Sequence, residues 1–247
     1  MTNTKDYIPG ATPAENAIFS KKKFYLHLKH LPSGDDVKFK AMLTQFEDQY
    51  TSDWTMEQVF GRMDPIRSFK GTQRIITLSW DVVAASIEEA EFNLKNCSTL
   101  LSMLYPSYDS GASTPEEKQT ATGTTDNEAA QDNILTSQQG FAAQTGNAAT
   151  IQGAPLFKLK FANLIQSAKA PSLANTSIED GLVGAIDGLT YSPDVEQGFF
   201  DPAPGVLYPQ TIRLSFAFYV THDHPLGWSG KNFRAAGTFP YPNTEGE

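Results

Sequence analysis

The sharpest chemistry-bearing segment is His222-Asp223-His224, two imidazoles flanking a carboxylate, a donor set suited to zinc or a similar ion. Two such histidines face one ion only if the strand carrying them persists, and no third ligand is marked nearby. His27 and His30 are the other histidines. The competing reading is a strand end followed by a turn at Pro225, and no metal or other cofactor is expected. Gly227-Trp228-Ser229-Gly230 lacks the Gly-x-Ser-x-Gly spacing of a nucleophile elbow. No Gly-x-Gly-x-x-Gly or Walker pattern occurs. Cys97, the single cysteine, falls on an apolar helical stripe, where a thiol behaves as a small apolar group. Glu88, Glu89 and Glu91 cluster, but helix capping accounts for them. The chain is expected not to be an enzyme. A metal-dependent hydrolase using His222, Asp223 and His224 is the catalytic alternative.

The elements around these residues read as mostly β. Phe24, Leu26 and Leu28 share one face of an expected strand, and Pro32-Ser33-Gly34-Asp35 is a turn signal. Val37, Phe39, Ala41 and Leu43 alternate with polar residues, giving the second arm of a hairpin. Gln49–Trp54 is a candidate third strand, and Thr55-Met56-Glu57-Gln58 has the capping-box pattern of a short helix. Arg74–Val83 is rich in β-branched residues, with Ile76, Leu78, Trp80 and Val82 on one face. Ser86-Ile87-Glu88-Glu89 then caps a helix whose expected buried stripe is Ile87, Ala90, Leu94, Cys97, Leu101 and Leu104, ended by Pro106. Later strands are expected from Leu156, over Gly181–Tyr191 with glycines marking a bulge or a close backbone approach, and over Tyr208–Val220. Ser192–Gly205 reads as a loop.

Three segments lack that patterning. Residues 1–22 read as an extended N-terminal arm, with Lys21-Lys22-Lys23 a solvated basic run. Residues 107–153 are rich in small polar and acidic residues and read as a disordered insertion within a single domain spanning 23–228. Residues 229–247 form an extended, aromatic C-terminal tail. Side chains that cannot build their own core anchor interfaces. The expected subunit contacts are therefore Trp228, Phe233 and Phe239 in the tail region, Phe199 and Phe200 as an apolar anchor, and Arg62, Asp64, Pro65 and Phe69 around the Asp64-Pro65 corner.

The formal net charge of −9 argues against a phosphate-backbone binder. No basic-then-apolar leader pattern opens the chain, and no apolar run reaches the ~20 residues of a membrane span. The expectation is synthesis and retention in a cytoplasm, with no membrane partner. The fold class expected is α+β, mainly antiparallel β.

F-G-R-M-D-P-I at 60–66, followed by F-K-G-T-Q-R-I-I-T-L-S-W at 69–80, resembles a family of bacteriophage baseplate hub and tail-tube-initiator proteins. The capped helix ending L-Y-P at 104–106 resembles it too. So do P-L-F-K-L-K-F-A-N-L-I at 155–165, G-A-I-D-G-L-T-Y-S-P-D-V-E-Q-G-F-F at 184–200, L-Y-P-Q at 207–210 and H-D-H-P-L-G-W at 222–228. The resemblance implies a tail-tube-like β-sandwich or barrel with one flanking helix, whose strands join a continuous β-ring. It implies a structural subunit of the virion, a hexameric homo-oligomer at the tube–baseplate junction that initiates or connects the tail tube. Its partners would be the tail tube protein and baseplate hub proteins. DNA and the tape-measure protein would pass through the lumen without specific binding, and assembly would occur in the host cytoplasm. An acidic balance suits a channel that must not hold DNA. Some relatives carry a peptidoglycan-binding LysM module; none is visible here, and the 107–153 insertion departs from the family's compact pattern. A tail terminator or connector at the other end of the tube is the alternative within the same machine.

Overall fold

The computed structural model describes residues 8–21, 24–40, 42–109, 150–168, 177–233 and 239–241. The chain divides into two compact units, residues 1–105 with 155–247 and residues 106–154. The second unit contains a short antiparallel pair, Ser107–Asp109 with Thr150–Gly153 (β5 and β6 in chain order), so the two ends of the stretch 107–153, expected to be disordered, are ordered against each other. The rest of that stretch, 110–149, lies outside the described residues.

In the first unit, helix α1 spans Pro13–Lys21, where the sequence suggested an extended arm. Its start is a capping box. Thr12 Oγ1 accepts from the Glu15 amide at 3.3 Å, and Glu15 Oε2 accepts from the Thr12 amide at 3.0 Å. Pro13 occupies the first helical position, where a missing N–H costs nothing. The helix buries Phe19 with Ile8 against Tyr25.

The strands of this unit are β1 (Tyr25–His30), β2 (Asp36–Lys40), β3 (Met42–Glu57), β4 (Ile66–Val83), β7 (Leu156–Lys160), β8 (Leu182–Pro193) and β11 (Thr211–Thr221). They form one seven-stranded sheet in the order β2-β1-β7-β8-β11-β4-β3, antiparallel throughout. The two most apolar strands pair in register, Trp80 opposite Leu214, Leu78 opposite Phe216 and Ile76 opposite Phe218. Their shared face joins Leu26, Leu28, Phe39, Phe157 and Leu159 in the core, with Trp80 fully buried.

β2 and β3 lie at opposite edges although a single residue separates Lys40 from Met42. One residue carries the chain only a few ångströms, about 3.8 Å per Cα step. The two edges therefore meet at that corner, and the sheet curls round until Phe39 of β2 touches Trp80 of β4, ring centroids 5.8 Å apart. The run expected as one strand from Val37 to Leu43 is thus split between two neighbours. The sheet does not close into the expected barrel, because β2 and β3 are not hydrogen-bonded to each other. They are successive parts of one run and meet end to end.

Helix α2 spans Ile87–Met103 and covers one face of the sheet. Ser86 Oγ accepts from the Glu89 amide as the capping pattern requires, but the Glu89 carboxylate reaches the Ala85 amide, at 2.8 Å, rather than that of Ser86. Its other oxygen takes a hydrogen bond from Lys40 Nζ at 2.8 Å, which explains why this carboxylate is fully buried. The buried stripe is Ala90, Asn93, Cys97, Leu100 and Met103. It is turned from the expected one: Ile87 is exposed and Leu94, Leu101 and Leu104 are half-buried. The rotation admits polar Asn93 to the core side. Asn96 meanwhile donates to the Lys38 carbonyl at 3.2 Å and ties the helix to β2.

Three further expectations change. Thr55–Glu57 continue β3 instead of starting a helix, since Met56 and Glu57 pair with Arg67 and Ile66 and that ladder outweighs the local cap. The expected loop at 192–205 contains β9 (Phe199–Ala203), which pairs with β10 (Val206–Pro209) around Pro204-Gly205. This hairpin packs on α2. In β8 the glycines do both jobs foreseen for them. Gly188, at φ +65°, stands where the register with β11 shifts, and Gly184 lies against the Tyr219 carbonyl. The C-terminal region is not simply extended, for β12 (Trp228–Ser229) and β13 (Asn232–Phe233) make a tight turn.

Candidate interaction surface

β4 pairs with β11 only as far as Ile75, opposite Tyr219, whereas its pairing with β3 runs on to Ile66 opposite Glu57. Residues 49–57 and 66–73 therefore leave the sheet as a two-stranded arm. Alternation makes its two faces unlike. Tyr50, Ser52, Trp54 and Met56 lie on one side, and a register shift after Asp53 brings Phe69 opposite Trp54, ring centroids 5.0 Å apart. That bulge keeps the aromatic pair on the face that continues, at the other end of the strands, into the core. Here, however, no helix or second sheet among the described residues covers it. Trp54, Met56 and Phe69 are at least half exposed.

The tip connects the strands through residues 58–65. The Arg62 amide donates to the Val59 carbonyl at 3.2 Å and Gly61 takes φ +85°, a left-handed turn conformation that suits glycine. Phe60 and Met63 project fully, at 104% and 95% relative exposure. Arg62 and Asp64 are exposed and Pro65 is half-buried. Arg62, Asp64 and Pro65 thus sit together at the tip, with Phe69 on the shaft. Lys70 lies 3.9 Å from Asp53, both exposed, and such a pair contributes little.

The root of the arm is a buried ion pair. Arg74 donates from Nε to Asp48 Oδ1 at 3.0 Å and from Nη2 to Oδ2 at 2.7 Å. Tyr50 and Tyr241 also donate to Oδ2, at 3.2 and 2.8 Å. The guanidinium carbon stands 5.3 Å from the Tyr50 ring centre and 5.7 Å from that of Phe239. Burial, with the Asp48 carboxylate alongside, pushes the Tyr241 phenol up to about 12, so it stays a neutral donor.

Trp228, Phe233 and Phe239 form a ring-to-ring chain, 5.4 and 5.6 Å between centroids, ending 6.2 Å from Tyr50. The tail aromatics expected at an interface are therefore gathered at the arm root of their own chain, with Trp228 still largely exposed. Phe199, exposed, and Phe200, half-buried, belong instead to the β9–β10 hairpin on α2. Sequence reading overlooked Tyr50, Trp54, Met56, Phe60 and Met63. The alternation of Tyr50, Trp54 and Met56 with polar residues was the available signal, though it does not say whether the apolar face is covered.

The His222-Asp223-His224 segment follows β11. His224 Nδ1 lies 2.7 Å from Asp223 Oδ1, so that carboxylate is engaged by its neighbour. Burial, reinforced by the nearby Arg74 charge, holds His222 below its ordinary value. Among the described residues no three His, Cys, Asp or Glu side chains gather as a metal set. The Cys97 thiol is pushed up to about 12 by burial, which suppresses the nucleophilic thiolate. Among the described residues, no helix is long and apolar enough to cross a membrane. Neither the family models nor the curated proteins compared with this chain give a match.

Proposed function

We propose that the chain is a structural subunit of a bacteriophage tail, forming a ring at the tube–baseplate junction that initiates or connects the tail tube. The observation that carries this reading is the β3–β4 arm. It presents Trp54, Met56, Phe60, Met63 and Phe69 to solvent on a ribbon that carries no core of its own. Apolar side chains so placed serve a protein that buries them against a partner. The motif series that resembles the hub and tube-initiator family supports the same reading, since F-G-R-M-D-P-I forms the tip and the following motif forms β4.

In this reading the tip and shaft dock on the neighbouring subunit of a hexameric ring. The sheet face turned away from α2 is suited to a channel. It carries Gln45 opposite Ser79, Glu47 opposite Thr77 and Asp81 opposite Arg213, polar pairs that share the face with Met42, Ile75 and Tyr219. Such a face slides past DNA and a tape-measure protein without gripping them, and the net charge of −9 works in the same direction.

The test is negative-stain imaging and sedimentation of the purified chain, alone and mixed with the tail tube protein of the same phage. Rings, alone or capping short tubes, are expected. A chain that stays monomeric in both conditions at high concentration would overturn the reading.

A further inference from the structure

The root of the arm is built differently from the rest of the sheet. β4 passes there from exposed residues to the buried run that starts at Arg74, and the transition is spanned by the Asp48–Arg74 pair. The side chains of both are almost completely buried, at 3% relative exposure for Asp48 and 1% for Arg74. Burying two charges is costly unless their geometry is good and their remaining hydrogen-bonding capacity is met. The strands supply one covering group, Tyr50. The other two, Phe239 stacked beside the guanidinium and the Tyr241 hydroxyl on Asp48 Oδ2, come from the C-terminal segment. That segment is not part of the sheet.

Beyond the root the arm has only two strands, and a two-stranded ribbon has little stiffness of its own. Its direction is set where it joins the sheet. Arg74 Nη1 has no hydrogen-bond partner among the described residues. The pair is therefore oriented by the fork to Asp48 and by the adjoining Tyr50 and Phe239 rings, rather than by a full set of bonds.

We propose that Phe239 and Tyr241 form a latch on the β3–β4 arm. Seated on the Asp48–Arg74 pair, they exclude water from it and fix the direction in which the arm leaves the sheet. Unseated, they expose the pair and leave the arm free to pivot about residues 48–50 and 72–74. The latch is a property of the single chain and does not depend on the ring reading, so either can fail without the other.

Hydrogen exchange, resolved residue by residue on the full chain, tests this with Tyr241→Phe and Phe239→Leu. The first removes one hydroxyl and the second reshapes one ring, and neither changes a residue of the sheet itself. Expected is about tenfold faster exchange of the β3–β4 ladder amides at 49–57 and 66–73, the factor that loss of a hydrogen bond to a charged group gives. Amides of β4 from Ile76 to Val82 should keep their parent rates. Unchanged rates in the arm for both variants would overturn the latch. So would an equal acceleration in arm and core, which would mark a general loss of stability.

Discussion

Gly184 of β8 lies so close to Tyr219 of β11 that a Cβ on the glycine would stand 2.2 Å from the tyrosine carbonyl oxygen. The same atom would meet the Phe218 ring at 2.8 Å. The obstructing oxygen belongs to a strand paired on both sides, so it has no freedom to yield. Gly184→Ala should lower stability by about 3 kcal/mol, the upper range for overpacking. Urea unfolding measures this. Gly71→Ala, with open space around it, serves as the control and should cost far less. Equal effects of the two substitutions would show that the close approach does not limit packing.

The Asp48–Arg74 pair predicts a strongly non-additive result. Asp48→Ala leaves a guanidinium buried with no counter-charge and should cost about 3–5 kcal/mol. Replacing both partners, Asp48→Leu with Arg74→Met, should recover most of that loss, because the desolvation penalty goes with the charges. A double-mutant cycle by chemical denaturation decides it. A double variant as unstable as the sum of its singles would refute coupling at the arm root.

Phe60 and Met63 contribute nothing to the core, given their near-complete exposure. Phe60→Ser with Met63→Ser should therefore leave stability within about 0.5 kcal/mol of the parent. If the chain works as the tail subunit proposed above, the same variant should fail to assemble with the tube protein. Thermal melts and electron microscopy read the two halves separately. Normal assembly would remove the tip from the interface.

Acid should destabilise the chain through identifiable carboxylates. Glu15 is lowered from 4.5 to about 2, chiefly by its hydrogen bond from Lys40, and Glu179 likewise to about 2 by Lys158 and Lys29. A carboxylate with a depressed folded value contributes stability that is full above its unfolded value and is lost as pH falls through the folded one. The loss should thus run from about pH 4.5 down to about 2. His30 is held below 6.5 by burial and adds a loss in the same direction that begins at milder acidity. Both carboxylates are substantially exposed, so each effect is modest. Melting temperature against pH should show a shallower acid slope in the Glu15→Gln, Glu179→Gln double variant. An unchanged slope would assign acid sensitivity elsewhere.

How legible these features were depended on whether the governing contact was local. β4 and β11 could be read directly, for Ile76, Leu78, Trp80 and Val82 alternate as the core requires, as do Ile212, Leu214, Phe216 and Phe218. The start of α2 could be read because Ser86 and Glu89 are three residues apart. Its buried face was misjudged, since apolarity pointed to Leu94 where the structure buries Asn93. Helix α1 starts at the local Thr12-Pro13-Ala14-Glu15 capping box, a pattern that the reading of residues 1–22 as an extended arm does not use. The split between β2 and β3 was illegible, as both halves alternate alike and only their partners, β1 and β4, distinguish them. The arm was hidden for the same reason: periodicity reveals a face and leaves its covering unspecified. The Asp48–Arg74–Tyr241 contact joins residues far apart in the chain, and no local pattern marks it.

The continuity of β2 and β3 also has a mechanical side. A pull on the arm tip runs down β3 along covalent backbone and, two residues past Met42, reaches Lys40. That lysine is held at 2.9 Å by Glu15 of α1 and at 2.8 Å by Glu89 of α2. Tension at the tip is thus delivered to both helices without crossing a single interstrand hydrogen bond. The ladders beside it, β3 with β4 and β2 with β1, are loaded lengthwise, so their bonds resist in parallel instead of opening one after another. A chain wired in this way passes to its helices whatever load its arm bears.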